Sequence, residues 1–342
     1  MDLSERKKKI LSAVIETNVK SKSADAVSSK QLQEEYLPKL SSATIRNELN
    51  ALEEMGYLTH LHTSSGRVPT KEGYEKYIAE LMQERKLTSK EREIIKSNFA
   101  NKLVSIKDII ERSAKTITNA TNYASIVYTG SIEDSEIKDI KLYPVSSSTQ
   151  LVVVVTNTNV INELANLGTN SEEDLKAASD ILRELFIGKP ISLMKSKEIR
   201  EKMVTSELKK YKEVFDRVLD VIESSQNNLL GDVTISGKEK FMEYPEFNDI
   251  EKLKKTVMAL EDTDKILPII ASGNDLELSI NIGNDGDFAD CSVVTVSCNV
   301  KGMSKITAGV IGPMRMDYPK AVSVLKEVAS AIEETLRNEG DE

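Results

Sequence analysis

The stretch Ser41 to Thr70, SSATIRNELNALEEMGYLTHLHTSSGRVPT, decides the fold of the N-terminal part of this chain. Its first half predicts an amphipathic helix, because apolar residues recur at spacings of four and three. These residues are Ile45, Leu49 and Leu52. Ser41 suits the N-cap of the helix and Gly56 suits its end. A capped helix with one buried stripe is therefore expected.

The opposite face of this helix carries side chains that can recognise bases: Ala43, Arg46, Asn47 and Asn50, with Thr44 beside them. Arginine can donate to the two acceptors of guanine, asparagine can pair with adenine, and alanine or the threonine methyl can contact a thymine methyl. We therefore predict that this helix enters the major groove of DNA.

Two shorter helices are predicted upstream. Ser28 to Gln31 fits a capping box, which starts a helix from about Ser29 to Tyr36, and an apolar pattern from Ile10 to Ile15 marks an earlier helix. The turn Leu37 to Leu40 then precedes the polar-faced helix. Three helices with a tight turn before the third have the order of a helix-turn-helix unit.

A strand from Tyr57 to His62 and a glycine-containing basic turn follow the third helix and resemble a wing. Hydroxyls, glycine and a cation at such a turn suit contacts with phosphate or the minor groove. The predicted wing contacts are His62, Ser64, Ser65, Gly66 and Arg67. The alternative is a small α/β unit that carries a helix and a hairpin without binding DNA.

Three segments resemble the HrcA family of heat-inducible transcription repressors of bacteria. They are SSATIRNELNALEEMGYLTHLHTSSGRVPTKEGYEKYI (Ser41 to Ile78), EYPEF (Glu243 to Phe247) and GVIGPMRMDYPKAV (Gly309 to Val322). The resemblance implies a homodimer that binds an inverted-repeat operator, the CIRCE element, and whose activity is maintained by the GroEL chaperonin. It gives the recognition-helix role to Ser42, Thr44, Arg46 and Asn47, and the wing role to Gly66 and Arg67.

The expected fold is α+β and multidomain. Residues 1–86 form the predicted winged helix-turn-helix domain. The resemblance implies that the remainder is a GAF-like α/β domain, residues 87–144 and 221–342 with a leading helical linker, which carries an inserted dimerisation domain at 145–220. Pattern alone predicts helices over about Lys90 to Ala120 and Lys195 to Ser225, three closing strands between Leu276 and Ile311, and a terminal helix from Tyr318.

Charge is unevenly distributed along the 342 residues. Residues 1–90 hold 15 Lys and Arg against 13 Asp and Glu, a balance of +2, whereas the remaining residues balance at −11. DNA binding is therefore expected at the N-terminal end alone. Since the acidic remainder disfavours indiscriminate phosphate contact, affinity should depend on base contacts and on two DNA-binding domains acting together.

No apolar run near 18 residues and no signal peptide is found, so we expect a cytoplasmic protein without a membrane span. The cysteines, Cys291 and Cys298, lie in one predicted strand on opposite faces, which excludes a bridge between them. We interpret them as reduced structural thiols.

An enzyme is not expected. His60 and His62 are the only histidines and both lie in the wing strand, so a Ser-His-Asp or Cys-His site cannot form elsewhere in the chain. A wing metal site lacks a third ligand, and no cofactor motif is present. The alternative function is a ligand-sensing regulator whose GAF-like domain binds a small effector. A third hypothesis makes the protein mainly an interaction platform for the chaperonin.

Overall fold

The computed structural model describes residues 3–21, 23–60, 66–99, 106–130, 135–156, 160–168, 171–194, 196, 199, 212–224, 233–271, 278–284, 286–298 and 305–339. The chain folds into two compact units. The first comprises Met1–Val127, Thr234–Ser297 and Thr307–Glu334, and the second comprises Tyr128–Val233, Cys298–Ile306 and Thr335–Glu342. Both units combine helices with sheets, which confirms the α+β class.

In chain order the helices described are α1 (Glu5–Lys20), α2 (Ser29–Glu35), α3 (Ser42–Glu54), α4 (Lys71–Lys76), α5 (Ser89–Ser97), α6 (Ile106–Thr121), α7 (Glu172–Phe186), α8 (Ile191–Met194), α9 (Lys212–Ser224), α10 (Ile250–Glu261), α11 (Thr263–Ala271) and α12 (Tyr318–Glu339). The strands are β1 (Leu58–Thr59), β2 (Val68–Pro69), β3 (Ala124–Thr129), β4 (Ile137–Pro144), β5 (Gln150–Thr156), β6 (Val160–Ala165), β7 (Val233–Ser236), β8 (Leu278–Ile282), β9 (Cys291–Cys298) and β10 (Ile306–Pro313).

The first three helices begin at serine caps, as the sequence predicts for α2 and α3. Ser4, Ser28 and Ser41 each accept a hydrogen bond from the backbone N–H three residues further on. These bonds satisfy donors that the first turn of a helix leaves open. The apolar residues of α1, α2 and α3 pack into one core, which contains Ile10, Leu11, Val14, Ile15, Leu32, Ile45, Leu49 and Leu52.

The hairpin after α3 is short. β1 and β2 pair in antiparallel register, and Arg67 pairs with Val27 through two backbone hydrogen bonds of 2.9 Å. The hairpin is thus joined to the segment that precedes α2. Thr70 caps α4, whose last turn continues as a π-helical turn from Tyr77 to Leu81.

A five-stranded sheet in the order β7-β3-β10-β9-β8 belongs mainly to the first unit. The three closing strands and the terminal helix agree with the predicted pattern. The predicted single helical stretch over Lys90 to Ala120 is wrong, because α5 ends at Ser97 and a turn follows at Asn98. Serine and asparagine bond readily to nearby backbone, which favours a turn there.

The second unit contains the antiparallel sheet β4-β5-β6. One face of β5 is buried, and Val152 and Val154 join a core that the helices α7, α8 and α9 complete. Phe186 of α7 stacks on Phe215 of α9 with ring centroids 5.9 Å apart. The predicted helix from Lys195 to Ser225 is described over α9, and most of its first half lies outside the described residues.

The outer face of this sheet carries apolar side chains. Tyr143 is 46% exposed and Leu164 is 60% exposed, and both lie opposite Leu151 of the central strand. The strand that carries Leu164 was not predicted from the sequence, because VINELA alternates weakly between apolar and polar residues.

Both cysteines are buried free thiols on β9. Burial raises the pKa of Cys291 to about 12, so its thiol stays protonated and unreactive at neutral pH. Among the described residues, no helix combines the length and the apolar character that a membrane crossing requires.

Candidate nucleic-acid interface

The helix α3 divides its residues between a buried stripe and an exposed face. Ile45, Leu49 and Leu52 are buried in the core of the first three helices. Ala43, Arg46, Asn47 and Asn50 are exposed on the other side. Within the described part of the chain, the side chain of Arg46 has no hydrogen bond or ion pair, so all its donors can reach a ligand.

The hydroxyl groups at the start of α3 have structural partners. Ser42 Oγ lies 3.0 Å from Ser29 Oγ, which links α3 to α2. Thr44 Oγ1 lies 2.8 Å from Ser41 Oγ, the capping oxygen of the helix. The predicted contact residues Ser42 and Thr44 therefore fix the beginning of the helix in this structure.

Glu48 attaches α3 to α1. Its carboxylate accepts from Lys7 Nζ at 2.9 Å and from Arg6 Nη1 at 3.4 Å. Because the Glu48 side chain is largely covered, these pairs are better placed to orient the helix than a solvent-exposed pair of the same length.

Glu53, near the end of α3, contacts both sides of the hairpin. His60 Nδ1 is hydrogen-bonded to one carboxylate oxygen, and Arg67 Nη2 lies 2.7 Å from the other. Arg67 Nη2 also donates to Asn50 Oδ1 at 3.0 Å. The hydrogen bond from His60, assisted by the Arg67 charge, holds the pKa of the Glu53 carboxyl below its usual value. We name Asn50, Glu53, His60 and Arg67 the hairpin clamp.

Arg67, a predicted wing contact, turns its side chain toward α3 in the structure. Its side chain is only 20% exposed and its guanidinium faces α3. In this arrangement Arg67 orients the hairpin, and its hydrogen bond engages the side-chain oxygen of Asn50. Its role as a DNA contact stays a prediction.

Gly66 is required by a close approach of two backbone segments. A Cβ atom at this position would lie 2.2 Å from the carbonyl oxygen of Val27 and 2.4 Å from its carbon. Since neither atom belongs to a flexible side chain, only glycine fits beside Val27. The predicted wing contacts His62, Ser64 and Ser65 lie outside the described residues.

Two lysines, one in α2 and one in the turn that follows it, were not singled out from the sequence. Lys30, in the first turn of α2, is largely exposed, and Lys39, in the turn between α2 and α3, is exposed as well. Cations that flank a recognition helix commonly contact phosphates. The signal that could have found them is their position on either side of α2.

Metal chemistry receives no support from the described residues, where no group of three or more His, Cys, Asp or Glu could hold an ion. His60 is paired with Glu53 alone in that part of the chain.

Comparisons with known proteins agree over most of the chain. The family model of the HrcA protein C-terminal domain matches residues 107–322. The heat-inducible transcription repressor HrcA of Clostridioides difficile (strain 630) is 33% identical over 97% of this chain and 99% of its own length. The repressor of the same name from Bacillus pumilus (strain SAFR-032) is 30% identical over 99% of this chain and 100% of its own length.

A solved structure described as a hypothetical protein aligns with a TM-score of 0.62 and 18% identity, and it covers 98% of this chain and 99% of its own chain. It shares the fold. Transcription regulation, repression and the heat-shock response are the functions of the matching family. The members named here are transcription repressors, which are regulatory proteins. The chain belongs to the HrcA family of heat-inducible transcription repressors.

Proposed function

We propose that this protein represses heat-shock operons in the cytoplasm by binding an inverted-repeat operator of the CIRCE type as a homodimer. Residues 1–86 act as a winged helix-turn-helix domain, and α3 enters the major groove. One observation carries this proposal: Arg46 and Asn47 are exposed together on a capped helix whose opposite stripe is buried. That pairing of residue types can distinguish guanine and adenine from other bases.

The contact surface consists of Ser42, Ala43, Thr44, Arg46, Asn47 and Asn50 from α3, and of His62, Ser64, Ser65, Gly66 and Arg67 from the wing. Arg46, Asn47 and Ala43 contact bases, whereas the serines and Arg67 serve the phosphate backbone or the position of the wing. Lys30 and Lys39 add phosphate contacts on the side of α2.

Two DNA-binding domains are needed for specific binding. The balance of +2 over residues 1–90 supplies little general attraction to DNA. A single helix also specifies only a few base pairs, while a genome offers about a million or more competing sites. A twofold-symmetric dimer on an inverted repeat solves both difficulties.

We place the dimer contact on the outer face of the sheet β4-β5-β6. Tyr143, Leu151 and Leu164 form an apolar row across this face, and a second copy related by a twofold axis presents the same row. Lys141 and Asp139 lie on β4 and can form reciprocal pairs across the axis. The face belongs to the region around the proposed dimerisation domain, residues 145–220, inserted in a GAF-like domain of residues 87–144 and 221–342.

We also propose that the GroEL chaperonin maintains the activity of the repressor, as the family resemblance implies. A repressor of marginal stability exposes apolar surface when it opens, and a chaperonin binds such surfaces and returns the chain to its folded form. Heat raises the open fraction and occupies the chaperonin with other clients. The concentration of active repressor then falls, and the operon is transcribed.

The test is a titration of fluorescent duplexes with the purified protein at fixed salt concentration, with and without chaperonin. We expect binding to a CIRCE-type palindrome in the ratio of two chains per duplex, and much weaker binding to a scrambled duplex. Equal binding to both duplexes by folded protein would refute the repressor proposal. It would favour the alternative of a regulator whose GAF-like domain must first bind a small effector.

A further inference from the structure

Two of the three segments that define the family resemblance lie away from α3. Glu246 belongs to EYPEF and Arg315 belongs to GPMRMDY, and the two residues form an ion pair in the first compact unit. Arg315 Nε donates to Glu246 Oε1, and Arg315 Nη2 donates to Glu246 Oε2 at 3.3 Å. The Arg315 side chain is 7% exposed and that of Glu246 is 24% exposed. The contact is thus a bidentate salt bridge whose arginine side chain is buried.

The third donor of Arg315 reaches the DNA-binding segment. Nη1 donates to the backbone carbonyl oxygen of Ser21 at 2.5 Å. Ser21 is the C-cap of α1, the helix that Glu48 attaches to α3. One guanidinium therefore connects the end of α1 to residues from two distant parts of the chain.

Aromatic residues hold Arg315 in place. Its guanidinium carbon lies 5.9 Å from the centre of the Tyr244 ring, which is within the range of a cation–π contact. Tyr244 stacks on Tyr123 with ring centroids 5.7 Å apart. Tyr123 Oη accepts from the backbone N–H of Asp317 at 2.9 Å. The position of Arg315 is consequently set both by Tyr244 of EYPEF and by Tyr123, which holds the backbone of Asp317.

A second contact joins the same parts of this unit. Tyr74 of α4 donates to Asn18 Oδ1 of α1 at 2.7 Å, and its ring lies 6.1 Å from that of Tyr318. Tyr318 in turn donates to Ser292 Oγ of β9 at 2.9 Å. The side chains of these four residues, Asn18, Tyr74, Ser292 and Tyr318, are buried. Two independent attachments therefore orient α1 on the sheet of the first unit.

We infer that Arg315 is a positioning residue for operator binding: through Glu246 and Ser21 it fixes the orientation of the DNA-binding segment relative to the five-stranded sheet. It makes no base contact itself. A fixed orientation matters because two DNA-binding segments can occupy both half-sites only when their spacing matches the operator. This inference rests on the proposed function of the preceding section.

The deciding variant is the double substitution Arg315→Met with Glu246→Met. A single substitution leaves one charge buried without its partner and can unfold the protein, whereas removing both charges avoids that cost. The double variant loses the contact to Ser21 and keeps apolar bulk in the pocket. The matched control is Arg217→Met with Asp220→Met, an exposed ion pair of the second unit.

Two duplexes, a single half-site and the full palindrome, distinguish a loss of positioning from general damage to the protein. We expect the double variant to bind a single half-site as the unaltered protein does, and to lose about tenfold or more of its affinity for the palindrome, because only the two-site gain depends on spacing. The control should match the unaltered protein on both duplexes. Unchanged palindrome binding by the folded double variant would overturn the inference, and so would equal losses on both duplexes.

A measurement without DNA keeps this inference separate from the proposed function. Spin labels at Glu54→Cys on α3 and Lys254→Cys on α10 report their mutual distance, since the native thiols are buried. Labelled protein is diluted with unlabelled protein so that distances within one chain dominate. We expect a narrow distribution that broadens in the double variant and stays narrow in the control. A narrow distribution in all three would overturn the positioning role, even if operator binding itself failed to appear.

Discussion

At the scale of single residues, Arg46 provides the sharpest test of base recognition. Its guanidinium is exposed on α3 and can donate to O6 and N7 of one guanine. Arg46→Ala should therefore cost about 1–3 kcal/mol of binding free energy and relax the preference at one position of each half-site. Competition with duplexes that carry every single-base change measures this. Arg217→Ala, another exposed arginine, should change nothing, and a loss spread evenly over all sequences would contradict a base contact by Arg46.

Glu53 tests the hairpin clamp through its pH dependence. The pKa of its carboxyl is lowered in the folded protein from an ordinary value of 4.5. A lowered pKa stabilises the fold above the unfolded value, and this contribution is lost as the pH falls through the folded value. The stability difference between the unaltered protein and Glu53→Gln should be present at neutral pH and vanish in acid. Urea unfolding at several pH values measures it, and a difference that does not change with pH would exclude this role of the carboxylate.

Residue types on α3 were predictable, but their pairing was not. The positions of Arg46 and Asn47 on the exposed face follow from the helical period alone. Arg67 is separated from Asn50 by 17 residues, and its turn toward the helix depends on the path of the chain between them. The sequence shows that Arg67 is a cation, whereas only the fold shows that it contacts Glu53 and Asn50.

At the scale of elements, local signals determined what could be foreseen. Caps fixed the starts of α2 and α3, and the turn residues fixed the end of α3 at Gly56, which has φ of +82°. The break between α5 and α6 and the strand β6 were missed. In both places the apolar pattern is ambiguous, and tertiary packing decides between continuing an element and ending it.

Gly66 gives a prediction about the hairpin as an element. Gly66→Ala places a Cβ against the Val27 backbone, so Val27 and Arg67 must separate at a cost of about 1–3 kcal/mol. Operator affinity should fall with it. Gly286→Ala is the control. Its φ of +63° strains the backbone of an alanine, but the added Cβ has no atom within 4 Å, and the site is far from the hairpin in sequence. Thermal unfolding and duplex titration compare the two, and equal operator affinities would show that the Val27 contact does not position the wing.

At the scale of the whole molecule, contacts distant in sequence set the architecture. Arg315 and Ser21 are 294 residues apart, and no periodicity predicts their hydrogen bond. The same holds for the two compact units, each assembled from separated parts of the chain. The predicted insertion at 145–220 falls within the longest segment of the second unit, Tyr128–Val233. Composition predicted an uneven division of charge, but not which face of which sheet would carry exposed apolar residues.

The dimer proposal leads to a prediction for the assembled protein. Tyr143→Glu with Leu164→Glu places carboxylates on the outer face of the β4-β5-β6 sheet, where a twofold axis would bring like charges together. Sedimentation equilibrium should show monomers, and palindrome affinity should fall by about a hundredfold because the second binding event is no longer linked to the first. Half-site binding should persist, since α3 is untouched. Met258→Glu, which alters an equally exposed apolar residue on α10, should leave the dimer intact. A double variant that remains dimeric would move the interface to another surface, while a monomer that still binds the palindrome at full affinity would show that operator recognition does not require two chains.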